Sequence, residues 1–537
     1  MPDNKGAPIA RFLTPFKFRL MPERNRIGLF LTYNFASPGV DSSCSVDPVS
    51  VSWMHDRQEA NFVMIGVGVD FGTSNSTVAW FDGRQLRFVA IETNSPILPT
   101  AIHLSKEYEG TTGAAAIERY VHENAARLVQ LVPEILGQAA GSIVDSGSEH
   151  EMAELTMSRN VVLGPLIDHG LPGRLFLGLK RLLGNPAIDR IFVFNRPYRL
   201  VALLTPVLLR LREAVERELR APVSQAYVGR PVNFEGSDVS RNSLAVSRLT
   251  EACAHAGFRT IRFYPEPIAA TLSFLWQRRL TGNGTVLTVD FGGGTLDLSV
   301  IRYSGTTFDV LATMGADLGG DRIDQLIFRR LLFPLLGDGE VWSRQIDGHI
   351  VETPFPFNEY EEGILNWAIT HTLNQNRYKT RLTELIGGGG AASVKFQRLK
   401  DLINYNYSYS VFSAIKRAKA ELSIREESSI DIPELNLTVM FTRAQLNEIL
   451  VPMMRRLSEL VYQVVRRANL PMNGIDLVVR TGGSSQIVAV RQLLEELFRD
   501  KVTQHDPFTS VAGGLAIADY HGYRDARIVG ADDSEIT

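Results

Sequence analysis

The sequence predicts an α/β protein of two related lobes, on three observations. Apolar, β-branched runs alternate along the chain with segments of helical period, the pattern of sheets layered with helices. A strand–turn–strand pattern occurs twice, at residues 64–80 (MIGVGVDFGTSNSTVAW) and 285–303 (TVLTVDFGGGTLDLSVIRY). A third glycine turn, Thr481-Gly482-Gly483-Ser484-Ser485, follows the apolar strand 475–480. The hairpin aspartates Asp70 and Asp290 lie 220 residues apart, far beyond a solenoid period and suited to one hairpin per lobe.

Residues 1–63 carry no sustained helical or strand period and read as an unstructured extension; the first clear strand starts at Met64, which could be the natural start. Apolar spacing predicts helices over 199–220 and 241–256, the second ending at Gly257. Between them a strand, 225–228, leads into a loop at Pro231. Pro267 suits a first helical turn, so a helix is expected over 268–279. After the second hairpin, helices are expected over 324–335 and 412–423, and a long amphipathic helix over 444–469 interrupted by Pro452. Segment 337–409, with its Gly387–Gly390 run, reads as an irregular insertion with a flexible loop. Helices over 488–498 and 510–520, the latter rich in small residues, close the pattern. The resulting division is an extension (1–63), lobe I (64–283 plus 505–525), lobe II (284–504) and a tail (526–537).

Composition excludes several classes. With 537 residues, net charge −3 and 21% charged residues, the chain lacks the basic bias of a nucleic-acid or anionic-membrane binder. Two cysteines rule out a disulfide scaffold or a cysteine-rich zinc site. His255 and Cys253, two apart on a helix, do not share a face and read as structural. No apolar run reaches the roughly 18 residues of a membrane span. A cytoplasmic protein is the expectation.

The turns suit a polyphosphate. Gly72-Thr73-Ser74-Asn75-Ser76 and Gly292-Gly293-Gly294-Thr295 combine close backbone approach with hydroxyl donors. Asp70 and Asp290, each just before its turn, are two convergent carboxylates of the kind that hold a hydrated Mg²⁺. No GxxxxGK[ST] motif occurs, so this is not a P-loop. The nucleoside would lie against Gly482-Gly483.

Together these residues resemble the nucleotide-binding domain of heat-shock protein 70 (DnaK-type) chaperones, in the actin-like ATPase superfamily. The two phosphate motifs are similar to Asp70–Ser76 and Asp290–Asp297. The family's Asn-Glu-Pro-Thr-Ala-Ala signature stands as Pro265-Glu266-Pro267-Ile268-Ala269-Ala270, and its His-Leu-Gly-Gly-Glu-Asp turn as Asp317-Leu318-Gly319-Gly320-Asp321. Its adenosine helix stands as Arg417-Ala418-Lys419…Leu422-Ser423, and its adenosine loop as Thr481-Gly482-Gly483-Ser484. The resemblance implies an actin-like ATPase fold, two RNase H-like lobes around a nucleotide cleft, with ATP and Mg²⁺ as ligands. It implies that Thr73 and Ser74 hold the β-phosphate side, Asn75 completing that turn, and that Gly292–Gly294 and Thr295 cradle the γ-phosphate. Asp70 and Asp290 would hold Mg²⁺ through water, Asp290 also serving the chemistry, and Glu266 would orient a water near the metal. Lys180, within Leu179-Lys180-Arg181-Leu182-Leu183-Gly184, matches the catalytic lysine segment. Gly319, Gly320, Lys416, Lys419, Ser423, Gly482, Gly483 and Ser484 would line the nucleotide.

Departures are as informative. Ala420 and Gln486 stand where the family stacks adenine between two arginines, and Lys416 where it has a glutamate. Residues 106–173 and 337–409 lengthen the two lobes. No room is expected after Tyr520 for the β-sandwich peptide clamp, a pattern similar to the short YegD-like group. The implied activity is slow Mg²⁺-dependent ATP hydrolysis coupled to lobe closure and to an unidentified client or co-chaperone, with no nucleic acid or membrane partner. An actin-like filament protein, a small-molecule kinase of the superfamily and a nucleotide-binding scaffold with degraded catalysis remain open alternatives.

Overall fold

The computed structural model describes residues 17–20, 29–30, 64–129, 131–142, 157–168, 170–231, 234, 238–279, 282–305, 307–346, 349–506, 508–523 and 526–528. Most of 1–63, and most of the tail, lie outside the described residues. Where the sequence offered no strand period, Lys17–Leu20 and Leu29–Phe30 pair as strands, the former also with Glu109–Thr112. In the expected tail, Ala526–Ile528 pairs parallel with Thr307–Ala316.

Two six-stranded sheets carry the lobes. The first runs Thr260–Pro265, Gln225–Arg230, Gly66–Phe71, Asn75–Phe81, Leu86–Phe88, with Leu98–Pro99 beside the fourth. The second runs Val502–Gln504, Leu477–Thr481, Asn283–Phe291, Leu296–Ser304, Thr307–Ala316, Ala526–Ile528. Each places an antiparallel hairpin beside two parallel strands, so the sequence repeat is also a topological one. Register makes the aspartates equivalent: Asp70 pairs with Thr77 and Asp290 with Asp297. Parallel strands need crossovers, and helices provide them. Helix Val239–His255 joins Gln225–Arg230 to Thr260–Pro265, and Val488–Leu497 joins Leu477–Thr481 to Val502–Gln504.

Helices Glu266–Arg278 and Ser510–His521 join the lobes. They share one core with Phe81 and Tyr227 of the first sheet and Val286, Ile301 and Val479 of the second. Small residues make this approach feasible. A Cβ on Gly514 would overlap the Ala269 carbonyl, and one on Gly68 the Ala512 carbonyl. A polar clasp fixes the same helix: Asp519 accepts from the Val67 backbone N–H at 2.8 Å and from Gln225 Nε2 at 2.7 Å.

Segment 337–409 is ordered structure, contrary to the irregular loop expected from its composition. It folds as a hairpin (Val341–Ile346, His349–Pro354) and helices Asn358–Leu365, Asn376–Gly387 and Ala391–Asn404, with Ser408–Glu421 beginning inside it. Phe355, Tyr360, Leu382, Phe396 and Leu402 enter the lobe II core. Gly387–Gly390 is a tight helix–helix joint, with Gly389 and Gly390 at φ +71° and +83°. Nor does Pro452 interrupt its helix, which is continuous over Arg443–Arg467 behind a Thr442–Gln445 capping box. Pro452 faces solvent, so the carbonyl it leaves unbonded can be met by water, while Leu450, Met453 and Leu457 hold the opposite face in the core.

A second contact between lobes is made by the helix that packs on strands Ala101–Ser105 and Gly173–Leu177. Tyr120, on helix Ala114–Asn124, donates its hydroxyl to the Ala368 carbonyl at 2.6 Å and packs edge-on to His371. The Val129 N–H donates to Asn374 O at 2.9 Å, and Asn374 Nδ2 to Arg127 O at 2.7 Å. Among the described residues no helix is long and apolar enough to cross a membrane.

Candidate functional site

The two hairpin turns converge on one cleft of about 960 Å³. Asp70, Gly72–Asn75, Lys180, Glu266, Asp290, Gly292–Thr295, Gly482 and Gly483 all line it. The turns come together because their strands lie at the centres of the two sheets, held by the shared helices. A Cβ on Gly293 would sit 3.6 Å from Ser74 Oγ, so the first turn touches the second across the lobes.

Lys180 comes from a single 3-10 turn, Leu179–Leu182, entered through the left-handed Gly178. It is 7% exposed, and its ammonium donates to Glu266 Oε1 at 2.8 Å. Glu266 opens its helix, where a carboxylate also meets the favourable end of the helix dipole. Burial works to lower the Lys180 pKa, but the Glu266 and Asp70 carboxylates outweigh it and hold the ammonium charged.

Asp70 and Asp290 are half-buried at their strand ends. Withdrawal from water, reinforced by Glu266, pushes Asp70 up to about 7. Withdrawal from water, with Asp297, Glu266 and Asp70 adding to it, pushes Asp290 up to about 8. The floor of the cleft therefore holds more carboxylate than its cations neutralise. A cation entering with a triphosphate would offset that charge, and the donor set suits one. Among the described residues no group of three or more carboxylate, imidazole or thiolate ligands forms a cage. Two convergent carboxylates with room for water fit hydrated Mg²⁺ rather than a fully protein-ligated metal.

The second turn is braced from behind. The Gly292 N–H donates to Thr295 O at 2.9 Å, while the Gly320 N–H and Ser484 Oγ donate to Gly292 O at 3.1 and 2.8 Å. A Cβ on Gly319 would overlap the Gly293 carbonyl. Gly319, Gly320 and Ser484 thus support the turn instead of lining the cleft. Thr295 Oγ1 donates to Asp297 Oδ2 at 2.9 Å.

The expected adenosine residues are placed differently from the phosphate residues. Lys416 pairs with Asp321 at 3.1 Å. Lys419 donates to Gly320 O at 3.1 Å and pairs with the fully buried Asp324 at 2.5 Å. Neither these lysines nor Ser423, beyond the end of Ser408–Glu421, is among the cleft-lining residues.

Sequence reading assigns no role to several cleft residues, Asp297, Arg181 and Phe508 among them. Asp297, at the end of the second motif, accepts from Thr295. Arg181 reaches the second turn, where a Cβ on Gly294 would overlap its Nη2. Phe508 lies over the third turn, and a Cβ on Gly483 would meet its Cζ at 3.0 Å. Arg181 could have been found as the neighbour of Lys180; a single phenylalanine has no local signature.

A protein-family model described as Hsp70 protein matches residues 189–334 and 396–520, just over half of the chain. The gap between the two matched segments, 335–395, overlaps most of the insertion. Among curated proteins, the chain is 24% identical over 463 residues to a chaperone protein dnaK of Emiliania huxleyi, covering 84% of this chain and 59% of that one. It is 25% identical over 483 residues to heat shock 70 kDa protein BIP3 of Oryza sativa subsp. japonica, covering 88% and 57%. It is 25% identical over 461 residues to a stromal 70 kDa heat shock-related protein of Pisum sativum, covering 84% and 52%. The chain spans between a half and three-fifths of the length of these relatives.

Proposed function

The chain belongs to the Hsp70 family, and from that premise we propose that it is a DnaK-like ATPase that closes its two lobes around Mg·ATP, hydrolyses it slowly and couples that cycle to a protein partner. The observation that carries this reading is the Lys180–Glu266 pair set between Asp70 and Asp290, where the two glycine turns converge.

The turns supply backbone and hydroxyl donors to the β- and γ-phosphates, Thr73 and Ser74 from one lobe and Gly292–Thr295 from the other. Mg²⁺, when bound, would neutralise phosphate charge, with Asp70 and Asp290 holding it through water. Lys180, kept charged by its carboxylates, would stabilise the transferring phosphoryl group. Glu266 fixes the direction of that ammonium and would orient a water. Because opposite lobes grip the same phosphates, losing the γ-phosphate would release one lobe from the other, which is the signal a partner could read.

Calorimetry with ATP and ADP, with and without Mg²⁺, tests the cleft. Lys180→Ala is expected to lower the hydrolysis rate on the order of 10²–10³-fold, as loss of one transition-state donor does. A folded protein that neither binds nor hydrolyses ATP would end the proposal. A non-hydrolysing nucleotide scaffold is the second reading, favoured by Ala420 and Gln486 in place of the family's adenine-stacking arginines; tight binding without turnover would select it.

A further inference from the structure

We infer that Phe508 is the platform on which the nucleobase stacks, so that this cleft grips the base through one aromatic face and discriminates weakly between purines. The inference rests on the nucleotide reading above and adds what holds the base. Phe508 is 41% exposed on the wall of the cleft that also contains both phosphate turns, so its ring is open to a ligand there. Its ring lies over Gly483, where a Cβ would stand 3.0 Å from Cζ and 3.1 Å from Cε1. Gly482, the preceding residue, abuts the carboxylate at the phosphate end: a Cβ there would be 2.5 Å from Asp290 Oδ1. One residue step along the third turn thus leads from the phosphate floor to an open aromatic face.

The backbone that carries the ring is held from several directions. Asp506 Oδ1 accepts from the Phe508 and Thr509 N–H groups at 2.9 and 3.0 Å. Asp506 O accepts from Thr481 Oγ1 at 3.0 Å, and Thr481 is hydrogen-bonded to Ser510 at the same distance. The loop carrying Phe508 is thereby tied to the end of strand Leu477–Thr481 and to the start of helix Ser510–His521. Such tethering sets the loop before a ligand arrives, which lowers the entropic cost of binding.

It is Phe508 that meets Gly483 of the third turn; Phe234, Arg181, Arg456 and Arg467 also present stackable faces in the cleft. Ala420 and Gln486 are outside its lining, and Lys416 and Lys419 are engaged by Asp321 and Asp324. Every base has a π face, so a stacking platform tolerates different bases, whereas selectivity comes from hydrogen bonds to base edges.

The test compares the wild type with Phe508→Ala and Phe508→Tyr by calorimetry, using Mg·ATP, Mg·GTP and Mg·tripolyphosphate. The expected result is that Phe508→Ala weakens ATP and GTP alike by roughly five- to a hundredfold, leaves tripolyphosphate unchanged, and is rescued by Phe508→Tyr. ATP affinity within twofold of wild type in Phe508→Ala, or tighter, would overturn the platform. So would an equal loss of tripolyphosphate binding, which would make the ring a brace for the turn. If the wild type binds tripolyphosphate but neither nucleotide, the base site is absent; if it binds none of the three, the nucleotide reading itself fails and the platform with it.

Discussion

Asp70 and Asp290 combine a structural cost with a use. An unfolded aspartate releases its proton near pH 4, whereas the folded pair hold theirs up to about 7 and about 8. Between those values the folded state binds more protons than the unfolded one, so stability falls as pH rises. His371 and His505, held down to about 4 by burial, act in the opposite sense between about 4 and 6.5 and are silent above that window. In EDTA, the melting temperature should therefore fall as pH rises from 6.5 to 8. Saturating Mg²⁺ should flatten that slope, and so should Asp290→Asn without metal. Scanning fluorimetry across that window checks all three, and a flat profile for the metal-free wild type would refute the account. Reading the chain alone reached Asp70 and Asp290 because each follows an apolar run and precedes a small-residue turn. Lys180 was legible only by likeness to a family, since an isolated lysine on a short turn has no chemical signature. The pairing of Lys416 and Lys419 with Asp321 and Asp324 was not legible, because those partners lie about 95 residues earlier in the chain.

Among elements, the helices Glu266–Arg278 and Ser510–His521 bear the tightest geometric constraint. Gly514→Ala would push a methyl into the Ala269 carbonyl, and should lower stability by about 1–3 kcal/mol. Gly387→Ala, at the end of an exposed helix with nothing within 4 Å of the added methyl, should be neutral or stabilise by up to about 1 kcal/mol. Urea unfolding of the two variants gives the comparison; equal midpoints would remove the packing argument. Both hairpins were legible as elements, since alternation and turn chemistry agree over each. Segment 337–409 was not, because one glycine run dominates its composition, and the apolar faces of its helices are recognisable only against a core built by other parts of the chain. The continuous helix through Pro452 was hidden for a related reason: proline is tolerated where the vacated carbonyl meets water, and exposure is a tertiary property.

For the whole molecule, the seam between Tyr120 and the Ala368–Asn374 segment matters most. It links the lobes independently of the shared helices, so an opening that parts the lobes at this seam would break it. Removing one hydroxyl should cost about 1 kcal/mol of that closure, and Tyr120→Phe should release a fluorescent nucleotide roughly fivefold faster. Stopped-flow displacement measures this, and an unchanged rate would show that the seam does not limit opening.

The clasp between Val67 and Asp519 has a further consequence, for synthesis. The strand carrying the first phosphate turn is among the early described parts of the chain to emerge, yet its backbone partner lies 452 residues downstream. At about 5–20 residues per second, that partner arrives roughly 20–90 s later. Until then Gly66 and Gly68 lack the small-residue helix that covers their strand face in the finished fold. A member of a chaperone family is thus, while on the ribosome, a nascent chain whose own first lobe must wait for shelter.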